Sequence, residues 1–272
     1  MDLGIEVILH LFSKQGLTDA FSYADQNETI RSENAQRIYA LKGEYLQTIE
    51  GVITFLQGKN PSLGRQICTD QYLPQASRFT QLDYLDWSFG SMGIADKAKH
   101  LATLYIEDLT DFTKECVDPD FGVSRYAKQL GKSANSFDEL YEELSYEYSY
   151  IDAITLHILA EKLAVVKPKL VCLSAPFPGN LFSAFRCAQY IKEYHPNIKI
   201  ALGGGFANTE LRSVSDPRVF DFVDFITLDD GELPIELLHQ FVLSGKSTTD
   251  FLFKRTFVCE AGTVVYNNFS LR

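Results

Sequence analysis

The chain has 272 residues, of which 46% are hydrophobic, and a formal net charge of −11 at pH 7. A chain of this length suffices for one large domain or two ordinary ones with a buried core. The acidic balance argues against a nucleic-acid or anionic-membrane partner. No apolar run is long enough to span a bilayer, and the N-terminus lacks the basic segment of a signal peptide, so we expect a cytoplasmic protein.

The five cysteines are widely spaced and form no C-x-x-C pair. This spacing supports neither a zinc ribbon nor a disulfide framework, and it is typical of a reducing compartment. Cys172 falls in a predicted strand and Cys187 in a predicted helix, where we expect both to be buried free thiols.

Residues 1–167 are predicted to be mainly helical. The clearest signal is a series of apolar residues at helical spacing from Ile94 to Cys116, and Ser136 with Glu139 has the capping-box spacing that starts a helix. The other assignments are a strand or helix start over Ile5–Phe12, a loop over Asp19–Ser32, one helix over Glu33–Gln57, an irregular connection over Cys68–Ser88 and a helix containing Ile151–Leu163.

Residues 168–272 carry the signals of a sheet. Lys169–Ser174 and Ile198–Leu202 are short apolar runs bounded by turn residues. The segment Leu181–Tyr194 between them has helical spacing, with Asn180 placed to cap it, and a crossover of this length favours parallel, right-handed strand pairing. The predicted α/β fold is completed by a strand over Phe222–Leu228, a helix over Pro234–Leu243 and a β-hairpin formed by Thr256–Cys259 and Thr263–Tyr266.

Each of the three predicted strands ends in a loop rich in Gly, Pro, Asn or Asp. These loops are Ser174–Asn180, Gly203–Thr209 and Thr227–Glu232. In a parallel sheet the ligand crevice lies outside the carboxyl ends of the strands, so one rim of the sheet is the predicted site. The alternative is that these residues only turn the chain, since tight loops use the same residue types without any ligand.

Three motifs lie in the strands of the predicted sheet or directly after them: Ser174–Pro178, Pro196–Gly205 and Asp221–Glu232. In this order they resemble the cobalamin-binding domain of radical S-adenosylmethionine (SAM) enzymes. Three further motifs are similar to a branch of that family with a large helical insertion: Leu101–Leu109, Asp118–Phe121 and Asn208–Arg212. The resemblance covers most of the chain.

The resemblance implies a flavodoxin- or Rossmann-like parallel sheet in a domain that precedes a radical SAM barrel. That barrel, the implied partner domain, would carry S-adenosylmethionine and a 4Fe–4S cluster. In the family, a serine after one strand and a glycine pair after the next line the nucleotide tail of cobalamin, and Ser174 and Gly203–Gly204 match those positions. The candidate cofactor-binding residues are Ser174, Pro176, Gly203, Gly204, Gly205, Asn208, Asp229, Gly231 and Glu232.

The sequence departs from the family's pattern in three places. The axial-ligand motif Asp-x-His-x-x-Gly does not occur, so a bound cobalt would lack a protein histidine ligand. The cluster motif C-x-x-x-C-x-x-C is absent too, and the chain ends at Arg272, about where the barrel is expected to begin. Asp2–Glu6 is similar to the passage just after the family's second strand, which implies that the first strand lies outside this chain.

Three functional hypotheses remain open on these residues. The first is a cobalamin-binding module, non-catalytic in this chain, whose corrinoid relays a methyl group or assists radical chemistry in the intact enzyme. The second is a degenerate, ligand-free scaffold for a catalytic domain, which the long helical insertion favours. The third is an enzyme that uses Asp229, Asp230 and Glu232 as Mg²⁺ ligands or as acid and base, although acids beside a helix start more commonly stabilise the helix.

Overall fold

The computed structural model describes residues 2–69, 71–84, 93–122 and 137–269. Residue contacts divide the chain into two compact units. Unit 1 comprises Met1–Val123 and Ser149–Ile154, and unit 2 comprises Ser124–Tyr148 and Thr155–Arg272. Within the described ranges, no helix is both long enough and apolar enough to cross a membrane.

Unit 1 is helical. Its longest helix ends at Cys116 and confirms the helix predicted from Ile94 to Cys116. Its helices are α1 (Leu3–Leu11), α2 (Lys14–Gln26), α3 (Glu33–Ala40), α4 (Lys42–Leu56), the single turn α5 (Gly64–Ile67) and α6 (Gly93–Cys116). The Ile5–Phe12 segment is helical rather than extended. The predicted irregular connection contains a 3₁₀ segment, Ser77–Tyr84, while its residues 70 and 85–88 lie outside the described ranges.

The loop predicted over Asp19–Ser32 is wrong, because α2 continues to Gln26. Ser13 caps this helix by accepting a hydrogen bond from the amide of Gly16 at 3.0 Å. The helix buries a stripe of residues at helical spacing that polar neighbours in the sequence conceal: Leu17, Ala20, Phe21 and Ala24.

The single helix predicted over Glu33–Gln57 is wrong as well, because it is interrupted at Leu41. This residue has φ −89° and ψ 8°, outside helical geometry, and its amide is shared between the carbonyls of Arg37 and Ile38. Ile38 before the break and Tyr45 after it are both fully buried in the same core. The apolar periodicity therefore continues through the break and hides it.

Asp108 of α6 is a fully buried carboxylate in the core of unit 1. It accepts hydrogen bonds from the backbone amides of Ala76 at 3.2 Å and Arg78 at 3.0 Å, at the start of the Ser77–Tyr84 segment. Burial raises the pKa of Asp108 above its ordinary value of 3.8, although the two amides act in the opposite direction. Asp108 thus holds the amides of a remote 3₁₀ segment from within the core.

Unit 2 is built on a five-stranded mixed sheet with the order β1–β2–β3–β4–β5. Strands β1 to β3 are parallel, and β4 and β5 are antiparallel to their neighbours, which confirms the α/β class, the parallel pairing and the hairpin. The elements are α7 (Phe137–Ser145), α8 (Tyr150–Val166, whose first turn belongs to unit 1), β1 (Leu170–Ser174), α9 (Leu181–Tyr194), β2 (Lys199–Gly203), α10 (Gly205–Glu210), β3 (Phe225–Thr227), α11 (Glu232–Ser244), β4 (Thr256–Glu260) and β5 (Thr263–Asn267).

The β4–β5 hairpin closes through a two-residue turn. Glu260 pairs with Thr263, and the two residues between them have positive φ angles of 48° at Ala261 and 79° at Gly262. Two positive φ angles define the primed turn whose twist matches that of antiparallel strands. The chain therefore reverses with no additional loop.

One face of the sheet packs against α11. Cys172, Ala201 and Phe225 are register partners in adjacent strands, so their side chains share this face. Ala201 and Phe225 are buried there against Leu238, Phe241 and Phe253. Cys172 is exposed because β1 is the edge strand, so its predicted burial is wrong, whereas Cys187 is buried in α9 as predicted.

Arg186 of α9 is buried, with 2% of its surface exposed. Its guanidinium donates to the carbonyl oxygen of Leu144 at 2.8 Å and to Gln189 Oε1 at 2.8 Å. Leu144 lies in the last turn of α7, where the helix carbonyls need donors and a positive charge is favourable. Arg186 thus ties the end of α7 to α9.

Two local predictions for unit 2 are also corrected. Asn180 makes no capping hydrogen bond to α9, because it has φ −91° and ψ −11° and continues the chain from a 3₁₀ turn, Pro178–Asn180. The third strand is shorter than the predicted Phe222–Leu228, because a 3₁₀ turn over Pro217–Asp221 brings the chain into the sheet only at Phe225.

Candidate functional site

The carboxyl ends of β1 and β2 meet at one rim of the sheet. Ser174 and Gly203 are register partners in the last positions of the two strands. Beyond them, the amide of Ala175 donates to the carbonyl oxygen of Gly203 at 2.9 Å, and the amide of Phe206 donates to the carbonyl oxygen of Ala175 at 3.0 Å. The loops after β1 and β2 therefore hold each other directly.

The three consecutive glycines at this rim are required by close packing against neighbouring backbone and side-chain atoms. A Cβ on Gly203 would lie 2.8 Å from Thr227 Oγ1, and one on Gly205 would lie 2.7 Å from the carbonyl oxygen of Pro176. A Cβ on Gly204 would lie 2.9 Å from Ser174 Oγ, and Gly204 also has a φ of +99°. The glycines are thus explained by the chain's own loops, as the turn interpretation expects, without a ligand.

The loops after β2 and β3 are joined by a polar cluster. The side-chain oxygen of Asn208 accepts a hydrogen bond from the amide of Asp229, which has a φ of +60°. The Asp229 carboxylate forms an ion pair with Arg212, and Arg212 Nε donates to the carbonyl oxygen of Asn208 at 2.7 Å. Arg212 therefore positions Asn208, and Asn208 in turn positions the loop after β3.

Two arginines at the rim are absent from the sequence-predicted site. Arg212 neutralises Asp229, and Arg255 donates to the carbonyl oxygen of Asp230 at 3.0 Å. Of the two, only Arg212 is indicated by the sequence. It lies four residues after Asn208, and residues four apart meet on one side of a helical turn. Arg255 lies far along the chain, at a φ of +47° just before β4, where no local pattern indicates a rim position.

The predicted site residues divide into two groups. The loop contacts bring together Ser174, Pro176, Gly203, Gly204, Gly205, Asn208 and Asp229. Gly231 and Glu232 form the start of α11, where Gly231 makes no side-chain cap and Glu232 lies in the first turn, the position that the helix dipole favours for an acid.

The rim is open to solvent. Ser174, Pro176 and Gly205 are exposed on its first two loops, and Asp229 and Glu232 are exposed on the third. In the described part of the chain, no group of three or more His, Cys, Asp and Glu side chains is placed to hold a metal ion. The rim therefore offers hydroxyl, backbone and paired ionic groups.

No protein-family model, curated protein or solved structure matches the chain. The resemblance to cobalamin-binding domains therefore stays a prediction from the sequence motifs.

Proposed function

We propose that unit 2 is a cobalamin-binding module with a flavodoxin-like sheet, non-catalytic in itself, that works in the cytoplasm beside a radical SAM barrel. The open rim carries this proposal. Loops from three adjacent parallel strands converge there, and Ser174, Pro176 and Gly205 stay exposed. The crevice outside the carboxyl ends of parallel strands is the usual place for a cofactor in such sheets.

The polar groups of the rim suit a neutral ligand rich in amides, such as a corrinoid. Ser174 offers an exposed hydroxyl that can both donate and accept, and the backbone of Gly205 is exposed beside it. In this proposal these residues hold the nucleotide tail, while Asn208 and Asp229 keep the neighbouring loop in position. The three rim loops contain no histidine, so these loops would supply no imidazole to a bound cobalt.

When bound, the corrinoid supplies methyl-transfer or radical chemistry, which the protein does not perform itself. The chain's contribution is to bind and orient the cofactor. The short hydrogen-bonded loops after β1 and β2 suit this task, because a rigid rim loses little conformational freedom when a ligand binds.

Titration of the full chain with hydroxocobalamin, followed by gel filtration and a visible spectrum, tests the proposal. We expect the corrinoid to co-elute with the protein at an affinity on the order of micromolar. A Ser174→Trp variant is expected to lose binding because an indole would cover the exposed rim. Thr263→Trp, at an exposed position on the opposite end of the sheet, is the matched control and should bind normally.

Two outcomes contradict the proposal. One is a wild-type chain that retains no corrinoid, and the other is binding that survives in Ser174→Trp. Circular dichroism of both tryptophan variants establishes that each remains folded.

A ligand-free scaffold for the barrel is the second candidate, and the packing of the rim favours it. The three glycines and the Arg212–Asp229 pair are all satisfied within the chain. The scaffold proposal predicts that hydroxocobalamin leaves the thermal midpoint unchanged. It also predicts that a separately produced barrel binds wild type and Ser174→Trp equally, and failure of the wild-type chain to bind the barrel contradicts it.

A metal-dependent enzyme is not favoured by the contacts of the acidic loop. Asp229 is paired with Arg212, and Glu232 lies in the first turn of α11, where an acid stabilises the helix. We therefore expect chelation to leave the thermal midpoint unchanged. A lowered midpoint in wild type, absent in Asp230→Asn, would restore this hypothesis.

A further inference from the structure

The outer edge of β1 presents hydrogen-bonding groups that no described strand uses. The carbonyl oxygen of Lys169 accepts from the amide of Lys199, and the amide of Ala175 donates to Gly203, so alternate residues of this strand point their backbone groups toward β2. Along a strand, the residues between them point the other way. The amides and carbonyls of Leu170, Cys172 and Ser174 therefore face outward at the sheet edge.

An apolar cleft lies beside this edge. It has a volume of ≈ 520 Å³, and its lining residues are Lys169, Leu170, Ile235, Glu236, His239, Val242 and Leu243. Leu243 is 63% exposed, and Val165 and Val166, just before the strand, are 83% and 67% exposed. An exposed strand edge with apolar side chains around it is a pairing surface, which proteins usually cover or charge.

We propose that β1 pairs antiparallel with β1 of a second copy of this chain, which extends the sheet across a two-fold axis. The outward residues fit such pairing in one register that uses all three: Cys172 opposite Cys172 of the second copy, and Leu170 opposite Ser174 in both directions. Each of these would be a hydrogen-bonded antiparallel pair. A two-fold interface requires this kind of self-complementarity.

The distribution of charge favours a second copy as the occupant. Residues 162–169 carry three lysines and no acid, whereas α11 carries Glu232 and Glu236 and no lysine or arginine. In the antiparallel arrangement, Lys167 and Lys169 of one copy come beside the rim end of the other, where α11 begins at Glu232. This attraction occurs twice and offsets part of the repulsion between two acidic chains.

The apolar residues fit the same arrangement. Because the axis is perpendicular to the sheet, both copies place α11 on the same face, on either side of the two central strands. Ile235 and Leu243 of each copy then face the other helix and cover the Cys172 pair. About 10 Å separates helices that pack directly, which matches two strand spacings.

Sedimentation velocity of the full chain from roughly 1 to 100 µM, without ligand, tests this proposal. We expect a concentration-dependent dimer in wild type and in Cys172→Ser, and a folded monomer in Cys172→Lys, because a lysine in the middle of the edge blocks pairing. Thr263→Lys on β5, the opposite edge of the sheet, is the matched control and should remain dimeric.

Mild oxidation with diamide provides a second readout. In the proposed register the two Cys172 Cα atoms are about 5.5 Å apart, a distance that a disulfide spans directly, so oxidation should link two chains in wild type and in Cys259→Ser but not in Cys172→Ser. A wild-type chain that remains monomeric overturns the proposal, and so does a Cys172→Lys variant that still dimerises. Since no corrinoid is present, these outcomes are independent of the proposed cofactor site.

Discussion

A Cβ on Gly204 would lie 2.9 Å from the carbonyl oxygen of Ala175, so the loops after β1 and β2 are in contact through a position that only glycine fits. The φ of +99° adds a second requirement for glycine. We expect Gly204→Ala to destabilise unit 2 by roughly 1–3 kcal/mol, measured by urea denaturation followed by circular dichroism. Gly262→Ala is the control, because its φ is +79° but nothing lies within 4 Å of its Cβ position. Equal losses in both variants would show that the contact with Ala175 contributes nothing.

The corner between α1 and α2 depends on Gly16 in the same way. A Cβ there would lie 2.1 Å from the carbonyl oxygen of His10, so Gly16→Ala must move one helix relative to the other. The expected loss of stability is about 1–3 kcal/mol. Gly43→Ala, at an exposed helical position with nothing within 4 Å, should instead stabilise the chain by roughly 0.5–1 kcal/mol. Thermal unfolding checks both expectations: the midpoint should fall in Gly16→Ala and rise in Gly43→Ala relative to wild type.

Removal of the buried guanidinium of Arg186 should release the end of α7. Arg186→Met keeps the apolar stem but deprives the Leu144 carbonyl oxygen of a charged donor at 2.8 Å. Hydrogen bonds to charged groups contribute about 1.5–3 kcal/mol, and we expect a loss of that size in the free energy of unfolding. Arg212→Met removes an arginine whose side chain is 52% exposed and should cost less than about 1 kcal/mol. A larger effect at Arg212 would contradict this ranking.

The buried Asp108 makes a prediction about pH. Asp108→Asn should lower the free energy of unfolding by about 1–3 kcal/mol at pH 7. The carboxylate accepts hydrogen bonds from two backbone amides, and the NH₂ group of asparagine would face one of these amides without being able to accept from it. Because burial raises the folded-state pKa, the folded chain binds this proton before the unfolded chain does. Wild type should therefore gain stability relative to Asp108→Asn as the pH falls from 7 through the raised pKa toward 3.8.

Urea unfolding of both proteins at several pH values measures this difference. Thr48→Val removes a buried hydroxyl that bonds to Tyr105 at 3.0 Å but removes no carboxyl group. Its offset from wild type should stay constant between pH 7 and pH 4. The free energy of unfolding of wild type should exceed that of Asp108→Asn by more as the pH falls. If this difference becomes smaller instead, the expected direction is wrong.

Much of the sheet was predictable because its signals are local. The apolar runs of β1 and β2, the crossover helix between them and the turn residues of the hairpin each lie within a short stretch of sequence. The register of Ser174 with Gly203 follows from parallel pairing of those runs. The helices of unit 1 were less predictable, because a polar surface conceals the stripe of α2 and a shared core conceals the break at Leu41.

The site was predictable as a location more than as a set of contacts. The sequence indicated the rim, and the structure brings Ser174, Gly204 and Asn208 there. The structure gives a different reason for the glycines than the resemblance implied. Close packing within the chain selects glycine in the sequence just as the close approach of a ligand does. The ion pair of Asp229 with Arg212 depends on tertiary placement, which no spacing rule supplies.

The two-residue turn between β4 and β5 has a consequence for how the sheet assembles. Its strands are adjacent in the sequence, so this hairpin is expected to form within about 1–10 µs of the start of folding. The pairing of β1 with β2 has to wait for the whole of α9 to be enclosed between them, and β3 likewise pairs across long segments on both sides. The carboxyl-terminal hairpin would then be the first ordered template in unit 2, and the parallel strands that form the rim would be the last to join it.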